Sequence, residues 1–114
     1  MMNQYFRKAF YLVVALHLSV ASAGAYEDFF MAVNRDDDRT VAQLLARGFD
    51  PNSRDEQGQT ALHLALRDKS PRVADGLWKS PALDVNALNA SGESPLMMAA
   101  LRGDVAWAQR LLDR

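Results

Sequence analysis

The sequence contains no cysteine, which excludes disulfide bonds, thiolate nucleophiles and cysteine-ligated zinc or iron–sulfur centres. It also lacks an excess of positive charge, since 13 lysines and arginines face 14 aspartates and glutamates, for a formal net charge of -1. Proteins that bind DNA or RNA place many cationic side chains on phosphates, so this balance argues against a nucleic-acid partner. With 114 residues, 49% of them hydrophobic, the chain is predicted to form one folded domain.

The one long apolar stretch lies near the amino terminus and is too short to span a membrane. The basic pair Arg7-Lys8 precedes an apolar stretch over residues 9–21, and small residues follow at 21–25. A basic start, a short apolar stretch and a small-x-small exit are typical of a secretory signal peptide. A membrane-spanning helix needs about 20 apolar residues. A buried amphipathic N-terminal helix and an uncleaved anchor are the alternatives.

This segment predicts the domain limits and the location of the protein. We expect residues 1–25 to be a signal peptide, cleaved after Ala23 or Ala25. Residues 26–114 would then form the mature domain, exported to the periplasm or secreted, with no stable membrane span after cleavage.

The rest of the chain repeats itself at a spacing of 34 residues. The string Gly58-Gln59-Thr60-Ala61-Leu62-His63-Leu64-Ala65-Leu66 returns as Gly92-Glu93-Ser94-Pro95-Leu96-Met97-Met98-Ala99-Ala100. A degenerate earlier copy aligns residues 29–33 with 62–66, and one extra residue near 79–83 explains its shorter offset. Three copies at a near-constant spacing indicate a repeat architecture.

Each copy contains two short apolar-periodic segments joined by a tight polar link. In the third copy they are Pro95–Leu101 and Val105–Leu112, with Ser94 predicted to cap the first helix and Gly103 to adopt the positive φ that ends it. Thr60 has the same capping position in the second copy, and turn-rich segments at 50–58 and 84–92 separate the copies. Helices this short do not persist alone in water, so the pattern predicts units that stack.

The repeated residues resemble the ankyrin repeat. The resemblance is carried by Gly58-x-Thr60-Ala61-Leu62-His63-x-Ala65 and Gly92-x-Ser94-Pro95-Leu96-x-x-Ala99, and it covers roughly residues 28–114. It implies an all-α solenoid of about three helix-turn-helix units with projecting hairpin loops. The units would lie at about 26–54, 55–88 and 89–114, the last incomplete. Ala61 stands where the family has proline, Met97 where it has histidine, and the segment 79–83 replaces the usual Gly-Ala.

The resemblance also implies the function. It indicates a non-enzymatic scaffold that binds a protein partner and needs no cofactor. Placing the sequence on the binding side of such repeats selects hairpin tips and helix ends as candidate partner-binding residues: Arg35, Arg54, Glu56, Gln57, Gln59, Arg67, Asp68, Leu88, Ser91, Glu93, Leu101 and Arg102. Three of them, Arg35, Arg67 and Arg102, recur at one level and could bind carboxylates of a partner.

Catalytic or metal-binding readings of the sequence are weaker. His63 could serve as a general base or metal ligand, but partners for a triad or a metal site are not visible, and a helix-start histidine bonded to Thr60 is the structural alternative. The acidic run at 36–38 is better explained by stabilisation of a helix N-terminus. The segment 50–55 begins like a calcium loop, but Arg54 and Asp55 stand where a ligand and a glycine are required. A cryptic enzyme is therefore the least favoured function.

The large apolar side chains of the repeats are predicted to pack between copies. Trp78, Trp107, Met97 and Met98 are assigned to the core, and the side chains of the last segment, Val105, Trp107, Ala108, Leu111 and Leu112, are expected to cover the second copy. The far side of the third unit has no polar cap. We expect either a truncated product or a partner at that end, and a self-associating or chaperone-like envelope protection factor is the alternative function.

Overall fold

A computed structural model describes residues 24–114. The described chain forms six helices: α1 at 24–34, α2 at Asp38–Ala46, α3 at Ala61–Arg67, α4 at Pro71–Trp78, α5 at Pro95–Leu101 and α6 at Val105–Asp113. Its one β-type pairing is an isolated antiparallel bridge between Arg54 and Thr60, at the base of a hairpin. The all-helical repeat array predicted from the sequence is confirmed. The signal peptide falls almost wholly outside the described residues and stays a prediction.

Helix α3 packs on α4 and α5 on α6 within a unit, whereas α3 on α5 and α2 on α4 join neighbouring units. We call the pairs α1–α2, α3–α4 and α5–α6 the first, second and third repeats. First helices therefore stack on first helices and second helices on second helices. This arrangement places the hairpins between repeats on one side of the array.

Side-chain caps begin the helices where the sequence predicts them. The Thr60 hydroxyl accepts from the His63 amide at 3.3 Å, and the Ser94 hydroxyl accepts from the Met97 amide at 3.2 Å. Asp37 starts α2 in the same way, through Thr40. Each cap satisfies one of the amide donors that a helix start leaves unpaired.

The link between the two helices of each repeat contains one residue with positive φ, at an equivalent position. These residues are Asp36, Lys69 and Gly103, with φ of 53°, 52° and 67°. A left-handed residue ends the first helix and turns the chain into the second. The predicted role of Gly103 is confirmed, and the first two repeats make the same turn without glycine.

A continuous apolar core runs through all three repeats. Phe29 and Val33 represent the first repeat, Leu62 and Leu77 the second, and Ala99 the third, all of them fully buried. Trp78 and Trp107 meet edge to face across the boundary between the second and third repeats, with ring centroids 5.3 Å apart. Their predicted role in inter-repeat packing is confirmed.

Three apolar side chains assigned to the core are instead exposed. Met97 is 52% exposed, Val105 79% and Leu112 65%. Val105 is the first residue of α6, and its side chain faces solvent. Met97 and Leu112 lie on the side of the third repeat that no further unit covers in the described chain.

Candidate protein-binding surface

His63 joins the second repeat to the third. It is fully buried, its Nδ1 lies 2.7 Å from the Thr60 hydroxyl, and its Nε2 lies 2.8 Å from the main-chain oxygen of Glu93. Because a carbonyl oxygen only accepts, Nε2 carries a proton and donates to Glu93, and Nδ1 accepts from the Thr60 hydroxyl when the ring is neutral. The predicted bond to Thr60 is confirmed, and the bond to Glu93 extends it across the repeat boundary.

The environment of His63 favours the neutral ring. Burial lowers the pKa of His63 below its ordinary value of 6.5, and the positive charge of Arg54 lowers it further, while the bond to the Glu93 carbonyl opposes the change. In the described chain no group of three or more histidines, aspartates and glutamates is placed to hold a metal ion. The contacts of His63 are those of a structural residue.

The two hairpins are held by side-chain hydrogen bonds to their own backbone. Asp55 Oδ1 accepts from the amides of Gln57 and Gln59, each at 2.9 Å. Asn89 Oδ1 accepts in the same way from Ser91 at 3.0 Å and Glu93 at 2.8 Å. Such bonds fix the course of a loop before any partner arrives.

The hairpins are also bonded to each other. Asn89 Nδ2 donates to Gln59 Oε1 at 3.1 Å, which connects the second hairpin to the first. A Cβ placed on Gly58 would lie 2.6 Å from Cβ of Ala90, so the two backbones approach too closely for a side chain at Gly58. The hairpin tips form one ordered row.

The predicted hairpin residues fall into two groups: side chains exposed to solvent and side chains hydrogen-bonded within the chain. Glu56, Gln57, Leu88 and Ser91 are exposed at the tips, and Arg54 is exposed while its Nη1 donates to the main-chain oxygen of Gly58 at 3.0 Å. The predicted residues Gln59 and Glu93 are half-buried, and both side chains accept from Asn89.

Two of the three arginines in the predicted row, Arg67 and Arg102, already bond to other groups of the chain. Arg67 forms a two-point ion pair with Asp68, at 2.8 and 3.0 Å, which lowers the pKa of the Asp68 carboxyl below its ordinary range. Nε of Arg102 donates to the main-chain oxygen of Arg67 at 2.6 Å. Arg35 is exposed, as is Leu101 at the end of α5. A partner carboxylate would have to compete with Asp68 for Arg67.

The structure adds a feature that sequence reasoning missed. A groove with a volume of about 360 Å³ opens between α1 and the first hairpin. Residues of α1 that were not candidates, Tyr26, Phe30 and Met31, line it together with Glu56 and Gln57, which were. The sequence shows only that Met31 occupies the repeat position of Leu64, and the structure adds that Leu64 is buried whereas Met31 is 47% exposed.

No helix within residues 24–114 combines the length and the apolar character needed to cross a bilayer. The second and third repeats continue the first without a break, and the hairpins between them carry the displayed side chains.

Comparison with known proteins identifies this architecture. Residues 29–114 match a family model for ankyrin repeats in three copies. A potassium channel AKT1 from Oryza sativa subsp. indica and another from subsp. japonica are each 59% identical to the chain over 34 residues, which is 30% of this chain. The match spans 4% of either channel, about the length of one repeat. Because the family model covers most of the sequence, the chain belongs to the ankyrin-repeat family.

Proposed function

We propose that the chain is a non-enzymatic scaffold for a protein partner that acts in the periplasm or outside the cell. Ankyrin repeats are protein-interaction modules, and the observation that carries the proposal is the bonded row of hairpins with exposed tips. A surface that is ordered before binding loses little conformational entropy when a partner docks. The partner would bind the tips and the adjoining ends of the first helices.

Export is the second part of the proposal and is supported by the amino-terminal sequence. The basic pair, the apolar stretch and the small residues at 21–25 are those of a signal peptide. Tyr26, the first residue after the later cleavage site, donates its hydroxyl proton to the main-chain oxygen of Arg54 at 2.6 Å. Cleavage after Ala23 or Ala25 would leave that contact in the mature chain.

The test of the scaffold is affinity capture from the compartment that receives the exported chain. A tip variant, Gln57→Lys, Leu88→Lys and Ser91→Lys, should lose the captured protein while its circular dichroism stays that of the wild type. The matched control adds the same charge on exposed second-helix positions, Gln43→Lys, Ala46→Lys and Ala106→Lys. Equal capture by both variants would assign binding to another surface, and absence of any protein captured by the wild-type chain would overturn the proposal.

Mass spectrometry of the exported chain tests the location. An amino terminus at Gly24 or Tyr26 is expected. A full-length chain retained in the cytoplasm would refute export while leaving the scaffold proposal intact.

Self-association is a second candidate function because one specific observation favours it. Met97 and Leu112 expose large apolar side chains on the third repeat, at positions whose second-repeat equivalents, His63 and Trp78, are buried and half-buried. Exposed apolar patches on repeat ends are sites of further association. This candidate shares the fold and differs in the surface used.

A further inference from the structure

The groove between α1 and the first hairpin combines an apolar floor with an acidic rim. Nine residues line it: Tyr26, Glu27, Phe30, Met31, Asn34, Asp55, Glu56, Gln57 and Leu64. Its volume of 360 Å³ lies near the lower end of the range for ligand sites, about 300–1,000 Å³. The space fits side chains of a peptide better than a large cofactor.

The floor is apolar and firmly held. Phe30 and Leu64 line the groove and are buried, and Met31 lines it with a side chain that is 47% exposed. Phe30 packs edge to face against Tyr26, with ring centroids 5.0 Å apart, and against Phe29, at 5.2 Å. The floor therefore keeps its shape without a ligand. Exposed methionine adapts to apolar side chains of different shape.

The rim carries charge of one sign. Glu27, Asp55 and Glu56 contribute three carboxyl groups, and no lysine or arginine is among the lining residues. The ion pairs found between residues 24 and 114 involve other carboxylates, those of Asp38, Asp68 and Asp75. Asp55 uses Oδ1 to hold the hairpin, so its carboxylate stays fixed at the groove edge. A cation placed here would gain attraction from several carboxylates at once.

We infer that this groove receives a segment of the protein partner in which an apolar anchor side chain is flanked by lysine or arginine. The inference rests on the proposed scaffold function and specifies its partner chemistry. The anchor would bury apolar surface on Phe30, Met31 and Leu64, and the flanking cations would face Glu27 and Glu56. An acidic segment would meet like charge, so the rim selects against it.

Selection from a displayed library of random peptides tests this chemistry on the full chain. Peptides that bind the wild-type chain should be enriched in a leucine, methionine or aromatic residue next to lysines or arginines. Their affinity, measured by fluorescence anisotropy with synthetic copies, should fall as salt rises from about 0.05 to 0.3 M because the charge attraction is screened.

Two variants assign the binding to the groove. Glu27→Lys with Glu56→Lys should weaken the selected peptides by more than about tenfold, since it reverses the rim charge. Met31→Gln should weaken them through the floor and leaves the rim unchanged. The control, Asp84→Lys with Asp113→Lys, makes the same change in net charge at exposed positions outside the groove and should bind like the wild type.

The possible contrary results separate the groove inference from the scaffold function. Selected peptides without basic residues, no selected peptides, or equal losses in the control overturn the groove inference. If affinity capture still yields a protein that the rim variant retains fully, the inference fails and the scaffold function stands. Binding that emerges only after removal of residues 1–23 would assign the groove to the chain's own Arg7-Lys8 and the apolar residues that follow.

Discussion

At the residue scale, His63 shows how one polar side chain orders the junction between two repeats. Its backbone amide and Nδ1 both meet the Thr60 hydroxyl, and its Nε2 donates to the Glu93 carbonyl. His63 and Thr60 are buried and Glu93 is half-buried, and a buried polar group left without a partner costs about 1–3 kcal/mol. The histidine is therefore held in place by three hydrogen bonds to two polar neighbours, Thr60 and Glu93, which also depend on it.

Replacing His63 with alanine should lower the free energy of unfolding by about 2–4 kcal/mol, because the variant leaves a cavity and unpaired polar groups at Thr60 and Glu93. Urea denaturation measures the change. Met97→Ala is the matched control, since Met97 occupies the same repeat position but is 52% exposed, and it should cost about 1 kcal/mol or less. A similar loss in both variants would contradict the junction role.

The lowered pKa of His63 gives this junction a pH dependence. The unfolded chain binds the imidazole proton near pH 6.5, whereas the folded chain resists it, so the stabilising contribution is complete above pH 6.5. As the pH falls from 6.5 toward the folded pKa, the free energy of unfolding should decline. His63→Gln removes the titrating group, and its stability should lack that part of the slope when both proteins are compared between about pH 5 and 7.5.

The sequence correctly predicts the bond between His63 and Thr60, but the prediction that Met97 packs in the core is wrong. The bond from His63 to Thr60 lies within one helical turn, and local spacing is enough to predict it. Whether a side chain at that position is buried depends on the next hairpin, which covers His63 through Glu93 and has no counterpart over Met97 within residues 24–114. Periodicity identifies an apolar position but not the neighbour that buries it.

At the scale of secondary-structure elements, the sequence predicts the helices better than the site. The first helix of the third repeat has the predicted bounds, Pro95–Leu101, and the second ends one residue later than predicted, at Asp113. Caps, proline and glycine mark those limits locally. The groove required the approach of α1 to the first hairpin, fixed by the contact between Tyr26 and Arg54 across 28 residues, and no local pattern encodes that distance.

The stacking of the hairpins can be tested with two glycines of equal backbone conformation. Gly58 and Gly92 have φ of 77° and 75°, so alanine at either site adopts a left-handed conformation at a cost of about 1–2 kcal/mol. Only at Gly58 would the new Cβ meet a neighbour, Ala90, at 2.6 Å. We expect Gly58→Ala to lower the thermal midpoint further than Gly92→Ala.

A double variant separates the clash from the backbone strain. Adding Ala90→Gly to Gly58→Ala should restore the part of the stability that exceeds the loss in Gly92→Ala, because the clashing Cβ is gone. Equal midpoints for the two single variants, or no recovery in the double variant, would show that the hairpins are not packed against each other in solution.

At the scale of the whole molecule, the two ends of the array differ in polarity. The first repeat has a shallow depression in which Asp28, Arg35, Asp37 and Thr40 contribute charged and polar groups beside Met31 and Ala32. On the third repeat, Ala100 and Leu112 are exposed, whereas the equivalent second-repeat residues Leu66 and Trp78 are buried and half-buried beneath the third repeat. The third repeat thus presents a stacking face that is covered in its neighbour.

Two such faces are alike in chemistry, so a pair of chains could cover them by meeting through their third repeats. A single repeat supplies this face, whereas a standard stable interface buries roughly 800 Å² per partner, so we expect a weak, concentration-dependent dimer. Substitution of Trp107 or Leu111 is unsuitable as a test because both side chains are buried and their loss would destabilise the repeat itself.

Leu112→Lys with Ala108→Lys should abolish any dimer seen by sedimentation velocity at high protein concentration, since it places charge on the stacking face. Val105→Lys is the control, because Val105 is exposed but its equivalent Pro71 stays exposed even beneath a following repeat, which puts this position off the stacking face. Loss of the dimer in the control as well would indicate nonspecific apolar association. A wild-type chain that remains monomeric at every concentration would leave the hairpin surface and the α1 groove as the binding surfaces of the molecule.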